Sequence, residues 1–159
     1  VKEDLLNAIE IAAVAHDGQV DGAGRPYLLH CLAVMRTVAK KLPNNIDAQV
    51  AAVLHDVLED TSLTTHSLRR HGVSEEAIFL AVILSREPDE TYEQFIGTII
   101  KAGPVAITIK LADIKHNLSR IDGLPAERRA RLEPRYRAAK KKLTVALKYH
   151  NGVAQTSQL

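Results

Sequence analysis

AAVLHDVLEDT, residues Ala51–Thr61, carries four ionisable side chains inside an apolar run: His55, Asp56, Glu59 and Asp60. At about 100° per residue they share a stripe roughly 140° wide, extended upstream by the small residues Ala48, Ala51 and Ala52. Val50, Leu54 and Val57 fill the opposite side, so the spacing predicts one helix buried nearly all round. Three carboxylates in such a place repel one another and lose hydration, which costs several kcal/mol per ion unless a cation is present. A His beside an Asp offers ligands to a divalent metal, the simplest cation that would make the stripe tolerable.

The rest of the chain reads as helices around that segment. Glu3–His16 has Leu5, Ala8, Ile9, Ala12 and Ala13 at helical spacing. Asp17–Pro26, with Gly18, Gly22 and Gly24, reads as a loop. A second helix is expected from about Tyr27 to Lys41, stopped by Pro43, with Asn45 or Asp47 as cap of the helix that carries the stripe. Thr64–His71 and Ser74–Leu84 read as short helices separated by Gly72, and Glu90–Lys101 as another ending before Gly103 and Pro104. The opening PVAITIK of Pro104–Ser119 is β-branched enough for a strand. Helix is favoured because Ala106, Lys110, Asp113 and Asn117 then share one side, with Pro104 in the first turn. A last helix spans about Glu127–Tyr149. The fold class expected is all-α, a helical bundle with a central metal site. One domain is expected over residues 1–150, with 151–159 as a frayed tail.

Composition narrows the function classes. With 46% hydrophobic and 25% charged residues the chain is ordinary for a globular protein. It lacks an apolar run of the roughly 20 residues that span a bilayer. It also lacks the charged-then-apolar pattern of a secretory leader. A lone cysteine, Cys31, cannot form an internal disulfide, which fits a reducing cytoplasm. Aromatic content of 4% without Trp argues against stacking platforms for a nucleic-acid polymer. The net charge of +2 is unevenly placed: residues 1–114 hold 10 basic and 16 acidic side chains, residues 115–159 hold 11 and 3. The basic end reads either as a solvated helix face or as a cationic wall for a polyanionic substrate.

His55 and Asp56 give a divalent ion only two ligands. Asp113, a carboxylate on a mostly apolar helix, is the best third, and His30, just inside the helix after PYLL, a fourth. A mixed His and Asp set suits Mn²⁺, Fe²⁺ or Zn²⁺, and the absence of thiolates argues against a structural zinc site. Glu59 lies one turn beyond His55 and Asp60 one turn beyond Asp56, placed for proton transfer and water positioning. Any single His is more often structural than a ligand. His66, His71 and His150 read as surface residues, and His16 and His116 as hydrogen-bonding ones.

Four blocks in order, AHDGQVDGAGRPYLLH, AAVLHDVLEDT, the ETYEQF region and IKLADIKHNL, resemble the HD-domain superfamily and, within it, the hydrolase domain of the RelA/SpoT alarmone enzymes. The resemblance runs from about Ala15 to Leu118. No synthetase region is expected after the last helix, and on that expectation the chain resembles the stand-alone small alarmone hydrolases, including the metazoan SpoT homologues. The resemblance implies His30, His55, Asp56 and Asp113 as metal ligands with Mn²⁺ as the usual ion, and Glu59 and Asp60 as the catalytic acidic pair. It implies Asn117 as a contact to the nucleotide, with Tyr136, Lys140 and Arg86 as further substrate contacts. The implied activity is removal of the 3′-pyrophosphate from guanosine (p)ppGpp, giving GDP or GTP and pyrophosphate.

The chain departs from the pattern at Asp21 and Gly22, where long relatives carry a basic pair, one of which stacks on guanine. An Asp cannot stack on a purine as a guanidinium does. Cys31 stands where a Pro usually follows the ligand His. The rival readings are therefore an HD phosphohydrolase acting on another nucleotide (an adenine alarmone, a phosphorylated nicotinamide cofactor or a nucleoside monophosphate) and a non-catalytic nucleotide-binding module.

Overall fold

In the computed structural model, which describes residues 2–156, the chain divides into two compact units, Val1–Arg86 and Glu87–Leu159. Among the described residues there is no strand, only an isolated bridge between Val20 and Pro26, so the all-α expectation holds.

The first unit is built around one apolar helix. It comprises α1 (Lys2–Ala15), α2 (Leu28–Lys41), α3 (Ile46–Leu54), α4 (Val57–Asp60), α5 (Thr65–Arg70) and α6 (Glu75–Leu84). Every residue of α3 from Ala48 to Leu54 is buried, because α1, α2 and α6 all pack against it. Ala8, Ile11 and Ala12 of α1, Val50, Val53 and Leu54 of α3, Leu68 of α5 and Ile78 of α6 form one core cluster. Full burial of each Leu or Ile there stabilises by about 1.5–3 kcal/mol. Short polar side chains set where the helices begin. Asn45 Oδ1 accepts from Ala48 N at 2.9 Å, Thr64 Oγ1 from Ser67 N at 3.2 Å and Ser74 Oγ from Ala77 N at 3.2 Å. Asp47 is not the cap; its carboxylate accepts from Ser74 Oγ and so ties the start of α3 to the start of α6.

The stripe segment is not one continuous helix. α3 ends at Leu54, residues 55 and 56 form a turn, and α4 restarts at Val57. Asp56 sits at φ −104° and ψ −2°, near the bridge region where helical continuation fails. His55 Nδ1 bonds to Ala52 O at 2.9 Å, so the imidazole stays folded against the last turn of α3. The expectation of all-round burial fails at the same point: His55 is fully buried, whereas Glu59 and Asp60, beyond the break, are exposed.

The second unit contains α7 (Tyr92–Ala102), α8 (Pro104–Ser119), a 3-10 turn (Ile121–Gly123) and α9 (Ala126–Thr156). α8 packs on both α7 and α9. PVAITIK is helical, with Thr108 Oγ1 bonded back to Pro104 O at 2.7 Å. Gly103, at φ 103°, makes the tight junction between α7 and α8 that a side chain would strain. Ala106, Ile107, Ile109, Ala112 and Ile114 are buried, and so are Lys110 and Asp113 among them. α9 runs to Thr156, beyond the end near Tyr149 that the sequence pattern suggested. Residues 150–156 contain no Pro, and the single Gly152 weakens a helix without stopping it. Residues 157–159 of the expected tail lie outside the described residues.

Candidate metal centre

His30, in the first turn of α2, His55, at the end of α3, and Asp56, in the following turn, bring three ligand atoms together. His55 Nε2 lies 2.9 Å from Asp56 Oδ2 and 3.3 Å from His30 Nε2, and His30 Nε2 lies 3.7 Å from Asp56 Oδ2. The imidazole orientation of His55 is chemically fixed. Ala52 O can only accept, so Nδ1 carries a proton, and in the neutral ring Nε2 then presents a lone pair to the cluster. A lone pair facing a carboxylate oxygen at 2.9 Å needs a proton or a metal ion between them. Bonds of about 2.1 Å to a tetrahedral or octahedral ion separate neighbouring ligand atoms by roughly 3–3.5 Å. The three separations bracket that range, so the residues present fit a divalent cation.

The surroundings support these ligands. Tyr27 Oη donates to Asp56 Oδ2 at 2.5 Å, the same oxygen that faces both imidazoles. The rings of His16, Tyr27, His30 and His55 follow one another with centroids 5.0, 5.3 and 5.2 Å apart. Gln19 Nε2 donates to Asp60 O, and Gln19 Oε1 in turn accepts from His16 Nδ1 at 2.8 Å. Residue His16 therefore does have the hydrogen-bonding role expected of it. Nothing in the stripe pattern pointed to Tyr27 or Gln19. The available signals were the placement of Tyr27 three residues before His30 and the short spacing of His16 and Gln19 across a loop.

Glu59 and Asp60 project from α4. Glu59 Oε2 accepts from the backbone N–H of Arg86 at 2.9 Å, so Arg86 meets the acidic pair through its main chain. Partial desolvation of its carboxyl, then the charges of Asp56 and Glu59, push Asp60 above its ordinary value of 3.8, while His16 and His55 draw it back. An acidic group shifted in this direction holds a proton more readily than a free carboxylate, as proton transfer requires.

The remaining expected residues lie in the second unit. Asp113 is buried; its Oδ2 accepts from Lys110 Nζ and its Oδ1 from Asn117 Nδ2, each at 2.7 Å. Lys110 also lies over the Phe95 ring, 5.0 Å from the centroid. Tyr136 is half-buried on α9 and Lys140 exposed. The structure thus brings together His30, His55 and Asp56, while Asp113, Asn117, Tyr136 and Lys140 belong to the other unit.

Asp21 has a structural task that the sequence reading did not give it. Its Oδ1 accepts from Ala23 N at 2.7 Å and Arg25 N at 3.1 Å, closing the Gly-rich loop on itself. Its carboxylate organises backbone amides where a basic residue would reach outward.

Residues 8–82, which include the His30, His55 and Asp56 cluster, match the HD-domain family model. Residues 8–82 therefore belong to the HD-domain family. Among its curated relatives are the guanosine-3′,5′-bis(diphosphate) 3′-pyrophosphohydrolase of Haemophilus influenzae, 32% identical over 77% of this chain and 19% of that protein, and a probable GTP pyrophosphokinase of Mycobacterium leprae, 34% identical over 80% of this chain and 17% of that protein. The chain thus spans about a fifth of the length of the curated relatives it matches. A solved structure, described as a metazoan ortholog of SpoT that hydrolyses ppGpp, is similar with a TM-score of 0.75. It shares 24% identity, over 92% of this chain and 86% of that one, and establishes likeness of fold. No helix among the described residues is long and apolar enough to cross a membrane.

Proposed function

We propose that this chain is a metal-dependent hydrolase that removes the 3′-pyrophosphate from guanosine (p)ppGpp alarmones, giving GDP or GTP and pyrophosphate. The observation that carries the reading is the convergence of His30 Nε2, His55 Nε2 and Asp56 Oδ2 beside the Glu59–Asp60 pair. Relatives such as the Haemophilus influenzae 3′-pyrophosphohydrolase support the choice of substrate. Both units together are taken as one hydrolase domain. Asp113, in KLADIKHN, is assigned as the fourth ligand by its motif, and its burial is consistent with that role. Mn²⁺ is the ion proposed, and the cytoplasm the compartment.

A divalent ion held by these residues would acidify a water and neutralise phosphate charge as it develops. The chain's own groups do the rest. The Nδ1–H bond to Ala52 O holds His55 in the tautomer that can ligate, and Tyr27 orients Asp56. Asp60, with its raised pKa, accepts a proton from the attacking water, and Glu59, braced by the Arg86 amide, orients that water. Asn117 is proposed to hold the nucleotide, with Arg86, Tyr136 and Lys140 contacting its phosphates.

One observation favours a second reading in which the base is not guanine. The Asp21 carboxylate is engaged by its own loop and offers no cation to stack on a purine. The test is to incubate Mn²⁺-loaded protein with guanine and adenine alarmones, phosphorylated nicotinamide cofactors and nucleoside monophosphates, then identify the products. Pyrophosphate release from (p)ppGpp that stops on chelation is expected. Orthophosphate release from another nucleotide would select the second reading. Full turnover after rigorous chelation, or tight binding with no product, would overturn the proposal.

A further inference from the structure

The second unit places a hydrogen-bond donor without an acceptor on a ring that also carries a guanidinium over its face. The Tyr92 hydroxyl, on the first turn of α7, is buried and has no partner among the described residues. The Arg135 guanidinium, on α9, lies over the Tyr92 ring with its central carbon 4.9 Å from the centroid. Arg135 makes no hydrogen bond or ion pair among the described residues. Glu93 of α7, Asp113 of α8 and Glu133 of α9 are already engaged. Glu93 binds Lys142, Glu133 binds Arg137, and Asp113 binds Lys110 and Asn117.

A buried phenol left unsatisfied costs about 1–3 kcal/mol, and a half-buried guanidinium stacked on a ring is held in one orientation by a contact that uses none of its five N–H donors. The group that satisfies both must accept hydrogen bonds and carry negative charge. Burial pushes the Tyr92 hydroxyl up to about 12, so it remains a proton donor throughout the working pH range. Lys110 and Asp113, paired with each other, both act on this hydroxyl with opposite sign, so Arg135 is the cation left for an anion.

We propose that Tyr92 and Arg135 form an anion-binding pair that takes a phosphate oxygen of the nucleotide. The identity of the anion rests on the phosphohydrolase reading above, since that substrate is a string of phosphates. The planar fork of Arg135 suits two phosphate oxygens at once, and the phenol supplies a third, uncharged donor. Tyr92 would then help to bind a phosphate and play no part in bond breaking.

Tyr92→Phe and Arg135→Gln test the pair, with inorganic pyrophosphate binding by calorimetry measured alongside ppGpp hydrolysis on the Mn²⁺-loaded protein. Each variant is expected to raise KM about tenfold with kcat within about threefold, and to weaken pyrophosphate by a similar factor. Thermal unfolding of Tyr92→Phe without ligand should be unchanged or raised, because the orphaned hydroxyl is gone. Wild-type turnover with unchanged KM and pyrophosphate affinity in both variants would overturn the pair while leaving the hydrolase reading intact. If the wild type hydrolyses no alarmone, the hydrolase reading falls and pyrophosphate binding alone decides. Weaker binding in both variants then upholds the pair. Equal binding in all three proteins, or none in any, overturns it.

Discussion

The His30–His55–Asp56 cluster holds a half-buried carboxylate and the Lys110–Asp113–Asn117 cluster a buried one, and they balance its charge differently. Asp113 is satisfied within its own helix: Lys110 three residues before it supplies a cation and Asn117 four residues after it supplies an amide. Asp56 faces two imidazoles, one of which turns a lone pair toward it, and its hydrogen bond from Tyr27 is uncharged. The first cluster therefore suits a cation between its ligand atoms, and in the second Lys110 balances Asp113 in the metal-free protein. Two acids in one chain look alike in a sequence, and only their partners, imidazoles and a phenol at Asp56, an ammonium and an amide at Asp113, tell them apart.

The largest effect that would break this contrast is on catalysis. Asp56→Asn keeps the shape and removes the charge, and turnover should fall at least about a thousandfold, about 4 kcal/mol of transition-state stabilisation. Steady-state kinetics at saturating Mn²⁺ checks this, and residual activity within tenfold of wild type would contradict it. Next in size is stability at the other cluster. Lys110→Met leaves Asp113 buried without its cation and should cost about 3 kcal/mol in urea unfolding of the metal-free protein. A cost below about 1 kcal/mol would show that Asp113 draws its balance from elsewhere.

Tyr27→Phe sharpens the comparison at the metal side. Loss of the bond to Asp56 Oδ2 should weaken Mn²⁺ by about 10- to 100-fold, read by metal titration, with the fold unchanged. The smallest effect concerns Asp60. Its folded carboxyl pKa is raised above 3.8, so the native state holds the proton more tightly than the unfolded chain. Stability present at low pH is then lost as pH climbs from 3.8 through the raised value. Metal-free Asp60→Asn should therefore match the wild type near pH 3 and be slightly more stable at pH 7, while losing turnover. Equal stability at both pH values would mean that neighbouring carboxylates do not press on Asp60.

Much of this architecture was legible in the sequence. Helical spacing located α1, α2 and α5 to α8 within a residue or two, because Asn45, Thr64 and Ser74 are strong caps and Gly103–Pro104 a strong break. The His-Asp pair was legible because charged residues in an apolar helix need compensation. The break at His55–Asp56 was not, since periodicity describes a continuous helix and cannot see a side chain hydrogen-bonding its own preceding turn. Tyr27 escaped for a related reason: its role depends on a hydroxyl reaching a residue 29 positions away. Asp21 was read for the cation it lacks, and its loop-closing bonds appeared only with coordinates. The end of α9 was misplaced because a polar tail with one Gly gives no firm stop.

Metal content of purified protein, measured per chain by elemental analysis after dialysis against Mn²⁺ and then metal-free buffer, tests the central claim most directly. The wild type should retain about one ion, and folded His55→Ala and Asp56→Asn variants less than about a tenth of one. Equal metal in all three proteins would contradict the assignment of His30, His55 and Asp56 as the metal's ligands.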